Sequence, residues 1–96
     1  MKIKQWSVML KIKKDFVLRT VAESIVVVPV GKQSLDFNGM ITLNKTGEFL
    51  WKMLEAGADM TSLEQALAEK YGIDADTARK DTGDFIEMLK GADLLE

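Results

Sequence analysis

At Asn44 the hydrophobic period of this chain changes from that of strands to that of helices, and the switch limits the architectures open to it. Upstream lie β-branched runs at Phe16 to Val21 (FVLRTV), Ile25 to Val30 (IVVVPV) and around Gly39 to Leu43. Ala-Glu-Ser separates the first two, and the turn-rich segment GKQSLDFNG precedes the third, so the runs read as a small antiparallel meander. Pro29 has no amide to donate, which places it at a strand end or facing away from a partner. Downstream, Phe49, Leu50, Met53 and Leu54 form one helical stripe. Leu63, Ala66, Leu67 and Tyr71 form a second, and Ala78, Thr82, Phe85, Ile86 and Leu89 a third. The expected fold is α+β, about three strands followed by three α-helices.

The helix ends carry their own signals. Asn44 suits the N-cap of the first helix, Thr61 with Glu64 forms a T-x-x-E capping box for the second, and Asp74 can cap the third. Gly57, Gly72 and Gly91 stand where each stripe stops, as glycines at helix C-termini do. In the junction ITLNKTGEFLW, Leu43 is the expected last inward residue of the strand, and Gly47 permits a close approach in the first turn. Leu43, Trp51 and Leu54 read as core.

With 96 residues, 47% hydrophobic and 29% charged, the chain is expected to fold as one globular domain. It has no cysteine, which excludes disulfides and thiolate chemistry and fits a reducing, cytoplasmic setting. Gln5, Ser7 and Lys11 interrupt the amino-terminal apolar residues, so no signal peptide is expected, and no apolar run is long enough to span a bilayer. The net charge of -2 hides an asymmetry: seven bases against two acids up to Lys32, then 13 acids against six bases. A lysine-rich arm can meet nucleic acid or an anionic membrane, or simply be a solvated strand edge.

Without histidine or cysteine the common nucleophilic triads and imidazole or thiolate metal sites are impossible. Asp74, Asp76, Asp81, Asp84 and Glu87 cluster near the third stripe, and Asp81 and Asp84 can share a face, but such charges usually form a solvated helix surface. No catalytic residue, metal site or cofactor is therefore expected. Binding is the open class. The second and third helices outline a helix-turn-helix, yet the third carries five acids against Arg79, Lys80 and Lys90, and phosphates would be repelled. An open three-stranded sheet, by contrast, leaves edge amides and carbonyls that an extended peptide can pair with.

The ordered set FVLRTV, IVVVPV, LN-x-TG-x-FLW-x-ML, T-x-x-E-x-A-L, a Tyr-Gly turn and D-x-x-x-F-I-x-x-L before GADLLE resembles the PqqD-like family, over about residues 15 to 95. The carrying positions are Leu43, Asn44, Thr46, Gly47, Trp51, Asp81, Phe85, Leu89, Leu94 and Leu95. The resemblance implies a winged-helix-like peptide recognition element of pathways that modify ribosomally made peptides. In the pyrroloquinoline quinone pathway such a protein acts as a non-catalytic chaperone that presents a precursor peptide to a radical S-adenosylmethionine enzyme. By position, the leader would add along Gly39, Met40, Ile41, Thr42 and Leu43, facing Ala78, Thr82, Phe85, Ile86 and Leu89. Phe85 and Leu89 at helical spacing suit groove and plain core alike.

Residues 1–14 exceed what such a module (15–96) needs, and Trp6, Val8, Leu10 and Ile12 alternate. They are expected to form an extension or extra strand that covers a sheet edge or pairs with a second copy. The competing readings are a winged-helix nucleic-acid-binding protein and a structural oligomerising module; either a monomer or a homodimer is compatible with the pattern.

Overall fold

The computed structural model describes residues 8–31 and 41–96. Strands β1 (Phe16–Val21), β2 (Ser24–Pro29) and β3 (Ile41–Leu43) precede helices α1 (Lys45–Ala56), α2 (Met60–Tyr71) and α3 (Ala75–Gly91). The strands form an antiparallel sheet in the order β1-β2-β3, with Val21 opposite Ser24 at the hairpin and Ile25 opposite Leu43. This is the expected α+β meander followed by three helices. Pro29 closes β2 opposite Phe16, where its missing donor costs no interior ladder bond. Ala22 turns the hairpin with φ of 55°, a left-handed value that a side chain adopts at some cost.

Between sheet and helices lies one apolar core of Ile12, Phe16, Val27 and Leu43 with Leu50, Trp51, Leu54, Leu63, Leu67, Ala78, Ile86, Leu89 and Leu94. The period of each segment explains this. Inward residues of the strands recur every second position and those of α1 at Leu50, Trp51 and Leu54, so each element offers the core one face.

Capping fixes where the helices begin. The Asn44 side chain accepts a hydrogen bond from the Gly47 amide at 2.8 Å, and the Asp74 side chain accepts one from the Thr77 amide at 2.7 Å. That amide bond holds the Asp74 carboxyl below its ordinary pKa. The cap's contribution is complete above the unfolded value near 3.8 and is lost as pH falls through the lower folded value. The second helix departs from expectation. Its cap is Asp59, which accepts from the Ser62 amide at 2.7 Å, so the helix starts at Met60 and Thr61 lies inside its first turn. An aspartate caps as well as a threonine, and Asp59 comes first in the chain. At the far ends Gly57 and Gly72 are C-caps as expected, whereas Gly91 remains helical and the left-handed residue is Asp93, with φ of 60°. The turn is closed by the Asp93 amide donating to Lys90 at 3.1 Å and the Leu94 amide to Leu89 at 3.0 Å, while the exposed Asp93 carboxylate pairs with Lys13 at 2.9 Å.

Among the described residues, Leu10 to Lys13 do not extend the sheet. Leu10 exchanges backbone hydrogen bonds with Ala58 at 2.8 and 3.0 Å. The Lys13 amide donates to Leu94 at 2.9 Å and the Glu96 amide to Lys11 at 2.8 Å. Leu10 and Ile12 thus form isolated bridges with the α1–α2 connection and the carboxy terminus, and from Leu10 to Lys13 the backbone bonds lead away from β3. Val8, the next member of the alternation, is 70% exposed; Trp6 lies outside the described residues.

Removing the first cap has a measurable consequence. Asn44→Ala is expected to lower stability by about 1 kcal/mol in urea denaturation, because the Gly47 amide loses its acceptor in a half-buried position.

Candidate functional site

β3 is the last strand of the sheet, and no further strand pairs with its outer side among the described residues. Its final residue leads through Asn44 into α1, while α3 runs across from it. Between them opens a groove of about 630 Å³, lined by Thr42, Leu43 and Asn44, by Thr46, Gly47 and Leu50 of α1, and by Asp81, Asp84, Phe85 and Met88 of α3.

The LNKTG junction shapes one wall. Asn44 Oδ1 accepts both the Gly47 amide at 2.8 Å and the Thr46 hydroxyl at 2.9 Å, which pins the turn where strand becomes helix. Gly47 lies close against α3: a Cβ there would stand 3.2 Å from Phe85 Cε1 and 3.2 Å from Asn44 Oδ1. Its bare backbone lets the half-buried Phe85 ring settle against the start of α1.

Of the residues expected at the site, Thr42, Leu43 and Phe85 line the groove. Ile41 precedes them on the same edge strand and is half-buried. Gly39 and Met40 lie outside the described residues. Ala78, Thr82, Ile86 and Leu89 form the buried face of α3 and are absent from the groove lining. The reason is angular: successive helix positions differ by about 100°, so the stripe 78-82-86-89 meets the core while 81-84-85-88 turns toward β3. Asp81, Asp84 and Met88, and the α1 residues Thr46, Gly47 and Leu50, are lining positions that the sequence reading did not assign to the groove. Asp81 and Asp84 share a face, as their three-residue spacing suggests, and both are exposed, as expected of a solvated helix surface, while also edging the groove.

The formal charges on the groove lining are both negative. Asp84 Oδ2 accepts from Lys80 Nζ at 2.9 Å, and this hydrogen bond raises the Lys80 pKa, aided by the nearby Asp84 and Asp81 charges. Asp81 has no ion pair among the described residues. Among those residues there is also no group of three or more metal-binding side chains.

Thr82 is an anomaly on the buried face. It is fully buried, and its hydroxyl has no hydrogen-bond partner in the described structure. An unmet buried hydroxyl is costly, whereas valine has nearly the same shape. Thr82→Val is expected to raise stability by about 1 kcal/mol in thermal or urea unfolding, with groove binding unchanged because the residue does not line the groove.

A solved structure described as TbiB1 in complex with the TbiA(beta) leader peptide superimposes with a TM-score of 0.70 at 24% identity, covering 90% of this chain and 94% of that one. That likeness establishes a shared fold. No curated protein sequence matches the chain. Residues 15–95 match the family described as Coenzyme PQQ synthesis protein D (PqqD), which takes in all three strands, all three helices and both walls of the groove. The chain belongs to the PqqD family.

Proposed function

We propose that this protein is a non-catalytic recognition element that binds the leader segment of a ribosomally made precursor peptide and presents it to a modifying enzyme, of the radical S-adenosylmethionine type. The observation that carries this reading is the outer side of β3, unpaired among the described residues, beside a groove with an apolar floor. An extended peptide gains backbone hydrogen bonds from Ile41 to Leu43, and alternate side chains enter the groove against Phe85, Met88 and Leu50. Membership of the PqqD family and the TbiB1 leader complex, on the same fold, support the choice of ligand. The acidic lining disfavours phosphates in the same place, since Asp81 and Asp84 would repel them. The presentation step needs only binding, and the groove contains no histidine or cysteine to do more.

The test is an amide NMR titration of the labelled protein with leader peptides encoded by short reading frames beside its gene. Saturable shifts on Ile41 to Leu43 and on Asp81 to Met88 are the expected result. Binding whose shifts avoid both walls would overturn the site, and a response at the lysines to DNA with none to any leader would overturn the function. The complex should depend only weakly on salt, because backbone pairing releases few counterions.

A further inference from the structure

Helix α1 carries a second recess on the side away from the groove. Leu50, Trp51 and Leu54 point into the protein, whereas Lys45, Glu48, Phe49 and Lys52 lie around the opposite arc at about 100° per residue. With Lys70 and Tyr71 from the end of α2 they line a cleft of about 440 Å³.

Its floor is aromatic. The Phe49 and Tyr71 rings meet edge to face with centroids 6.1 Å apart, and Tyr71 is 38% exposed, among the large apolar side chains most open to solvent. Its rim is basic. Three lysines face a single glutamate, in a chain whose net charge is -2. Lys52 is satisfied by Glu48 at 3.3 Å, but neither Lys45 nor Lys70 has a carboxylate partner among the described residues. Lys70 Nζ instead sits 5.6 Å from the Phe49 ring centroid and 5.9 Å from that of Tyr71. Lys45 is the first residue of α1, where a cation opposes the helix dipole. Helix stability alone favours an acid there, so the lysine is better matched to an anionic group arriving from outside, which the helix amino terminus also attracts.

We propose that this cleft docks an acidic segment of a partner protein, one carrying an aromatic or aliphatic side chain between carboxylates. The apolar side chain packs on Phe49 and Tyr71, and the carboxylates reach Lys45 and Lys70. A long nucleic acid fits less well, because the acids that dominate the rest of the chain beyond Lys32 repel an extended polyanion, while a short segment meets only the local charge. The cleft and the groove occupy opposite faces of α1, so a partner seated here leaves the outer side of β3 free. The inference does not depend on leader binding and is tested without a leader.

The experiment is a titration of the labelled full chain with the capped peptide Asp-Glu-Phe-Glu-Asp. The charge-inverted peptide Lys-Lys-Phe-Lys-Lys, inorganic phosphate and a short single-stranded oligonucleotide serve as comparisons. Saturable shifts at Lys45, Phe49, Lys52, Lys70 and Tyr71, with the groove residues unmoved, are expected from the acidic peptide alone. The double variant Lys45→Glu/Lys70→Glu should weaken it at least about tenfold, since it sets like charges against each other. Both lysines are exposed, so the variant is expected to melt close to the parent, which separates lost docking from lost folding. No saturable shift in the cleft, an equal response to the basic peptide, or tighter binding of phosphate or oligonucleotide at the same lysines would each overturn the proposal.

Discussion

Phe85→Ala is expected to weaken leader binding about thirtyfold while lowering the protein's own stability by only about 1–2 kcal/mol. The two numbers separate because the ring has two surroundings. One side rests against Gly47 and the start of α1, and the other lines the groove. A half-buried aromatic returns only part of the area that a core residue would on truncation. An anchor at the centre of a peptide interface, by contrast, commonly contributes about 2 kcal/mol or more, which is the thirtyfold. Binding is read by fluorescence anisotropy of a labelled leader and stability by urea denaturation of the free protein. A loss of about 3–5 kcal/mol in stability with affinity unchanged for the folded fraction would assign Phe85 to the core instead.

Trp51→Ala should have the largest effect on folding, about 3–5 kcal/mol. The side chain is completely buried between the sheet and the other helices, in a core that also holds Leu50 and Leu54. Its indole Nε1 donates to Glu55 Oε2 at 3.0 Å one turn later, so the polar atom is satisfied at the edge of that core. Truncation leaves a cavity too large for neighbouring leucines to close. A domain of this size has about 5–15 kcal/mol in total, so a measurable unfolded population is expected at ordinary temperature. Trp51→Phe keeps most of the volume and should cost much less. The check is the midpoint of urea unfolding at unchanged slope, and a loss under about 1 kcal/mol would contradict the packing described for Trp51.

The elements that the sequence announced share a local cause. β1 and β2 were visible in their β-branched runs, and Asn44 and Asp74 as caps, because both depend on neighbours in the chain. Where two local signals competed, the earlier one prevailed: Asp59 began α2 before Thr61 could. Gly91 looked like a helix stop by its position, yet Asp93 makes the left-handed turn with Lys13 reaching it from a distant segment. The alternation of Leu10 and Ile12 was also real, but its partners are Ala58 and Leu95 and not a sheet strand. Alternation states that one face is buried and is silent about what buries it.

The groove shows the same division at finer scale. Strands followed by three helices, the cap at Asn44, the small residue at Gly47 and the lack of histidine and cysteine chemistry were all determined by the sequence alone, since each follows from residue type and short-range spacing. The tertiary structure decided which arc of α3 faces the core and which faces β3. Thr82 and Ile86 went to one side and Asp81 and Phe85 to the other, although Ile86 and Phe85 are adjacent in the chain and both apolar. A helix with a wide apolar arc can be buried along more than one line, and only the packing of α2 and the sheet against it selects which line is covered and which remains open to a ligand.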